Sequence, residues 1–318
     1  MPFQVYRNDL KTMTADPLDL HDPAYPLDLH DPHDSHDPHD PHDPLDPNPT
    51  KPLIDAIWDD DTKHTYESRD HQTIEYRINE CVRESYVSLD LSHMRADCFD
   101  QLDATGFTST HANKIQYLFA SNSQLHTVPR IDQFACLRVL DVSDSMLCTL
   151  PSLPCTLEEL VCRKNKLTSI PDGLDWLKRL DCSDNQIHTI QSMGRIESMQ
   201  LQSNPIDSIG SAYPVVRYLD ISGTRVQSLP VLDRLDWLVG NDSWLEDLSQ
   251  LVRAKNIEIV GSRVSQIHWI DGLEKLVYHR DDQIVISKDY QIDRMKMNRN
   301  NTVEVVFVWA KVDKKLIR

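Results

Sequence analysis

Glycine is scarce, with eight among 318 residues, and none falls in a G-x-G-x-x-G or G-x-x-x-x-G-K spacing. No phosphate-cradling loop is therefore encoded. Basic residues are outnumbered, 33 Lys and Arg against 50 Asp and Glu, for a net charge of −17. Such a chain repels nucleic acid and anionic membrane surfaces. The seven cysteines are odd in number and form no C-x-x-C pair, which predicts reduced thiols inside a cell rather than a disulfide framework. The polar start, MPFQVYRNDLKTMT, has no apolar core of a signal peptide, and no apolar run approaches membrane-spanning length. H-E-x-x-H, G-x-S-x-G and the kinase set of motifs are missing as well. The expectation is a cytoplasmic, non-enzymatic protein with no cofactor and no small-molecule substrate.

What the sequence does contain is a repeat. Residues 157–190, LEELVCRKNKLTSIPDGLDWLKRLDCSDNQIHTI, carry L-x-x-L-x-C-x-x-N-x-[LI]-x-x-I twice, twenty residues apart. Extended both ways, the asparagine slot is filled by Ser123, Ser145, Asn165, Asn185, Asn204, Thr224, Ser243, Ser262 and Asp281, at spacings of 19 to 22. Five before it stand Leu118, Leu140, Leu160, Leu180, Met199, Leu219, Leu238, Ile257 and Leu276. Two after it stand Leu125, Leu147, Leu167, Ile187, Ile206, Val226, Leu245 and Val264, until Gln283 breaks the rule in the ninth repeat.

Alternating L-x-L predicts a short strand with one buried face. Asn, Ser or Thr at the following turn bonds the backbone groups freed there. About ten residues remain for the return, often with Pro, as in VPRI and LPSLP. That is too few for a regular helix and two turns, so the return is expected to be extended or 3₁₀. One coil buries aliphatic side chains worth on the order of 10 kcal/mol, whereas ordering its twenty residues costs on the order of 20–40 kcal/mol. A single coil cannot fold, and stability must come from stacking.

These residues resemble the leucine-rich repeat family, whose signature L-x-x-L-x-L-x-x-N/C-x-L is matched by 157–167 and 177–187. The short period is similar to the class found in bacterial effector proteins. The resemblance implies an α/β-type solenoid: a horseshoe with a parallel sheet on its concave face, non-helical returns, a helical N-terminal cap and a β C-terminal cap. It implies protein partners, and leaves open that the chain is delivered into a host cell. Some effectors with similar repeats carry a ubiquitin ligase domain with a catalytic cysteine after the array. Here no cysteine follows Cys182, so that activity is not expected. Cys162 and Cys182 take inward slots and are expected to pack as apolar thiols.

The resulting division is an arm over 1–52, a helical cap with a degenerate first repeat over 53–114, about nine repeats over 115–285, and a C-terminal cap over 286–318. The arm settles into H-D-P triplets that block helix and sheet, which predicts disorder with polyproline II character. That conformation aligns His30, His33, His36, His39 and His42 along one edge about 9 Å apart, too far for two to share a metal without bending the chain. In the cap, Ile74, Ile78, Cys81 and Val82 share one side of a helix, and the WDDD run at 58–61 reads as a solvated helix end. Val303, Val305, Phe307 and Trp309 alternate, which predicts one or two strands closing the other end.

Outward strand positions are the candidate partner-binding residues: Tyr117, Phe119, Asp141, Arg163, Arg179, Asp181, Tyr218, Asp220 and Trp237. Tyr117 and Phe119 share one strand face, and Tyr218 and Trp237 are cross-coil neighbours, expected to be exposed aromatics of the kind that anchor interfaces, the alternative being that the terminal caps cover some of them, Tyr117 and Phe119 first. Each aspartate lies in an L-D-x-S phrase, which is also explained by the repeat consensus. Three functions follow: a scaffold binding an unidentified protein on the concave face, an assembly subunit pairing through its C-terminal strand, or a metal-responsive protein using the histidine arm.

Overall fold

The computed structural model describes residues 73–94, 107, 109–128, 131–210, 213 and 215–308. The arm with its histidines, the WDDD run, Cys98 and Trp309 lie outside the described residues.

The leucine period becomes a stack of short strands: β1 (Ser88–Asp90), β2 (Tyr117–Phe119), β3 (Val139–Asp141), β4 (Glu159–Val161) and β5 (Arg179–Asp181). Next come β6 (Thr189–Ile190), β7 (Ser198–Gln200), β8 (Ser208–Ile209), β9 (Tyr218–Asp220), β10 (Leu235–Val239), β11 (Ala254–Glu258), β12 (Gln266–Ile267) and β13 (Lys275–His279). The chain closes with β14 (Val285–Ile286), β15 (Ile292–Met297) and β16 (Thr302–Phe307). Ten of these strands, from β1 to β13, run parallel in one twelve-stranded sheet, and β16 and β15 extend it antiparallel. The register is that of the leucine slot: Leu118 pairs Leu140, Leu160 pairs Leu180, and Leu219 pairs Leu238.

Every leucine-slot side chain is buried, as are the plugs from Leu125 to Val264. Cys162 and Cys182 lie fully inside the same cluster, and burial pushes both thiols well above their usual range. The returns are extended, with a 3₁₀ turn at Ile131–Gln133. On the return side β6 pairs β8 and β12 pairs β14, also parallel. Both flanks of those coils therefore stack at ladder spacing.

Most of the tight turns are made without glycine. Asn122, Asp144, Lys164, Asp184, Ser203 and Asp242, each one residue before the asparagine slot, adopt φ between 50° and 58°. Only Gly223 and Gly261 give that position a residue free of side-chain strain. In the last coil the turn changes into a 3₁₀ helix, Arg280–Asp282, and Gln283 takes the left-handed position as its C-cap. This is the local reason the ninth repeat departs from the pattern.

At the N-terminal end, helix α1 (Ile74–Glu84) starts at the Thr73 cap, whose hydroxyl accepts from the Tyr76 amide at 3.3 Å. Ile74, Ile78 and Cys81 enter the coil core. The buried Arg77 guanidinium pins the helix to β1: it lies 3.5 Å from the Asp90 carboxylate and donates to the carbonyls of Asp90 and Ser92. A one-turn helix, α2 (Ser109–Ala112), precedes β2. At the other end Tyr290 stacks between Trp269 and Phe307, at 4.9 and 4.6 Å between ring centres. Its hydroxyl accepts from the Ile270 amide and donates to the His268 carbonyl.

The C-terminal end closes with a hairpin of two strands. β16 sits between β13 and β15, and among the described residues β15 is the outermost strand at this end. Val303, Val305 and Phe307 point inward as expected, while all six residues of β15 are exposed.

Candidate functional site

Outward side chains of the parallel strands form one continuous face. Tyr218 and Trp237 are direct cross-strand partners, as are Glu159 and Arg179. Tyr117, Arg179, Asp141, Asp181, Asp220 and Trp237 are half-buried, and Arg163 is exposed. Two expectations of exposure fail: Phe119 keeps 6 % of its surface and Tyr218 keeps 5 %. Strands about 4.8 Å apart bring outward neighbours into side-to-side contact, so Ser198 and Trp237 flank Tyr218. Burial, followed by the Asp220, Glu258 and Asp181 carboxylates, pushes the Tyr218 hydroxyl far above its usual pKa.

The aspartates act on their own backbone. Asp141 accepts from the Ser143 amide at 2.9 Å and hydroxyl at 2.6 Å. Asp181 does the same with Ser183 at 3.1 and 2.7 Å, and Asp220 takes the Ser222 amide at 2.9 Å. The L-D-x-S phrase is thus a strand-ending turn device. Burial raises the Asp141 and Asp220 carboxyls, against the lowering effect of these hydrogen bonds. Among the described residues no group of three or more His, Cys, Asp or Glu is placed to hold a metal ion.

What fixes the strands is the slot behind them. Asn185 Oδ1 accepts from the Leu167 amide of the preceding coil at 2.9 Å. Its Nδ2 donates back to the carbonyls of Cys162, Cys182 and Ser183 at 3.0 to 3.1 Å. Asn165 and Asn204 repeat this arrangement, bridging to Leu147 and Val142, and to Ile187 and Cys182. Where the slot is Thr224 or Ser243, the hydroxyl donates only to the carbonyl three residues back within its own coil. An asparagine ladder joining coils of about twenty residues, with L-x-L strands on one side and plugs inside, decides the architecture. The fold is a leucine-rich repeat solenoid.

No family model matches the chain, and no curated protein matches it. The solved structures it resembles are leucine-rich repeat proteins, bacterial effectors among them. The leucine-rich repeat domain of a Shigella effector is 19 % identical, with 59 % of this chain and 75 % of that one covered and a TM-score of 0.44. YopM, a leucine-rich effector protein from Yersinia pestis, is 22 % identical over 52 % of this chain and 49 % of its own, with a TM-score of 0.48. A leucine-rich repeat protein of Leptospira interrogans is 17 % identical, with coverages of 60 % and 71 % and a TM-score of 0.42.

On this solenoid, one set of surface residues escaped the outward-row reading. Seven positions before the asparagine slot run Arg138, Glu158, Lys178, Glu197, Arg217, Asp236, Lys255 and Glu274, alternating in sign. Glu158 pairs with Arg138 and Lys178, both at 2.7 Å, and Asp236 with Arg217 at 3.7 Å and Lys255 at 2.9 Å. The Arg138 and Lys178 hydrogen bonds hold the Glu158 carboxyl below the usual carboxylate range. The row was readable from the repeat alignment, because it occupies one fixed slot beside the strands. Two half-exposed indoles lie away from the outward rows: Trp176 under the Arg195 guanidinium at 3.6 Å, and Trp244 under Arg263 at 4.3 Å.

Proposed function

We propose that this chain is a non-enzymatic protein-interaction scaffold that acts inside a cell and binds a protein partner on the outward, concave face of its long sheet. The observation that carries this reading is the central band in which Trp237, Arg179, Asn256 and Lys275 stand half-buried on strands whose backbone is bonded on both sides. The Asn256 amide is held by the Asp236 carbonyl at 3.1 Å and the Lys275 ammonium by Glu304 at 3.0 Å, so the band is ordered before a partner arrives and little side-chain entropy is lost on binding. Tryptophan and arginine are also the side chains that most often concentrate binding energy. The leucine-rich repeat architecture supports a protein partner rather than a small molecule. The charge of −17 disfavours nucleic acid.

The test is affinity capture from cell lysate with full-length protein and a Trp237→Ala/Arg179→Ala variant, with circular dichroism confirming that both fold. Tyr218 is left intact because it is buried and its removal would open a hole. A partner held by wild type and lost by the variant supports the reading, and equal capture by both refutes it.

A second reading, assembly through a strand edge, is favoured by β15, where Ile292, Met295 and Met297 are exposed beside a backbone edge that has no partner among the described residues. Sedimentation of wild type against Met295→Lys/Met297→Lys separates the two readings: a monomer in both cases rejects assembly.

A further inference from the structure

A cleft of about 430 Å³ lies on the rim where the returns meet the strand starts, lined by Cys136, Cys155, Thr156, Arg138, Glu158 and Trp176 among others. Cys136 and Cys155 are both exposed, free thiols, and they belong to successive coils. Coil register places them side by side. Val139 pairs Glu159, a shift of twenty residues, so Cys136 stands opposite Thr156 and Cys155 opposite Ala135. The backbones meet there, since the Thr156 hydroxyl donates to the carbonyls of Ala135 at 3.2 Å and Leu137 at 2.8 Å. Neighbouring coils about 4.8 Å apart, offset by one residue of roughly 3.3 Å, put the two Cα atoms about 6 Å apart. A disulfide requires roughly 4.4 to 6.8 Å. Both residues line the same cleft.

We propose that Cys136 and Cys155 form a reversible dithiol–disulfide pair across this cleft, oxidised by a low-molecular-weight disulfide such as glutathione disulfide. One thiolate attacks a sulfur of the small disulfide, forms a mixed disulfide and expels a glutathione thiolate. The second protein thiolate then attacks the mixed disulfide at the protein sulfur and releases the other glutathione. The two protein thiols lose two protons and two electrons, which reduce one glutathione disulfide to two glutathiones. The third exposed thiol, Cys148, follows the Leu147 plug on the far side of the strand. It has no thiol partner in the cleft and serves as the internal control.

The experiment incubates full-length protein with glutathione disulfide and reads intact mass, tandem mass spectra and maleimide labelling. The expected product is a Cys136–Cys155 cross-link that retains no glutathione, while Cys148 does not enter a bridge. Cys155→Ser should trap glutathione on Cys136, and Cys148→Ser should leave the bridge intact. Both sites are exposed, so serine there does not disturb the core, and circular dichroism checks this. Wild type that ends with glutathione on both Cys136 and Cys155, or with neither thiol changed, overturns the proposal. So does a bridge that is lost in Cys148→Ser.

Discussion

Asn185 is the middle of three consecutive asparagines, and its replacement has effects that can be worked out bond by bond. Asn185→Ala removes four hydrogen bonds, but the losses are unequal. The Cys162 carbonyl keeps Asn165, the Cys182 carbonyl keeps Asn204, and the Ser183 carbonyl keeps the Lys164 amide. The buried Leu167 amide alone loses its acceptor, and an orphaned buried donor costs about 1–3 kcal/mol. With the shared carbonyls weakened, alanine should cost about 2–4 kcal/mol. Serine, the residue used at this slot elsewhere, bonds within its own coil at Ser243 and to the preceding coil's Leu91 carbonyl at Ser123, but its shorter side chain does not reach the Leu167 amide, and it should cost about 1–3 kcal/mol. Aspartate keeps the acceptor yet aims a buried carboxylate oxygen at three carbonyls, so it should cost the most, about 3–5 kcal/mol or more. The assays are urea unfolding for the order Ser, Ala, Asp, and native-state hydrogen exchange, in which the Leu167 amide loses protection in Ser and Ala but not in Asp. An aspartate variant as stable as the serine one, or a Leu167 amide equally protected in all, would refute the reasoning.

Two further outcomes follow from the turn and the strand face. Gly223 and Gly261 both have positive φ, but a Cβ at Gly223 would come no closer than 3.7 Å to Ser203, whereas at Gly261 it would lie 2.5 Å from Asp242 Oδ1. Gly223→Ala should therefore cost about 1 kcal/mol, and Gly261→Ala more, as read by urea midpoints; equal costs would contradict the steric account. The second concerns pH. Because burial raises Asp141 and Asp220 in the folded chain above their unfolded values, the folded state holds their protons more tightly. Their contribution to stability is complete below the unfolded pKa and is lost as pH rises through the folded one. Between about pH 7 and about pH 4.5, Asp141→Asn should gain less stability on acidification than wild type; parallel profiles would refute this.

The strand register was legible because a period of 19 to 22 residues can be satisfied in only one phase, and Leu160 opposite Leu180 follows from it directly. The burial of Tyr218 was not, since alternation tells which way a side chain points and nothing about what its neighbours cover. Sequence also placed Val303, Val305 and Phe307 in a strand, but not between two others. The hairpin that inserts it occurs once, and periodicity has no purchase on a single event. The left-handed position was readable: Asn, Asp, Ser or Gly fills it in all but one of the coils from Asn122 to Gly261, and Lys164 is the exception. A scarcity of glycine concealed it. The arrangement of Cys136 beside Cys155 required the coil offset, because nineteen residues of separation within a coil of twenty is a diagonal, not a pair.

The alternating charges along the strand starts have a consequence for how the array can change length. Its coils resemble one another closely enough that the hydrophobic pattern alone would let one dock against the wrong neighbour. Deleting the coil of β7 would bring Lys178 beside Arg217, like against like, whereas deleting the coils of β7 and β9 together would bring Lys178 beside Asp236. The shorter of those two chains should then unfold at the higher urea concentration per coil, and the opposite order would dismiss the idea. Such a row works as a parity check: a change of two coils keeps opposite charges adjacent, whereas a change of one sets like charges side by side.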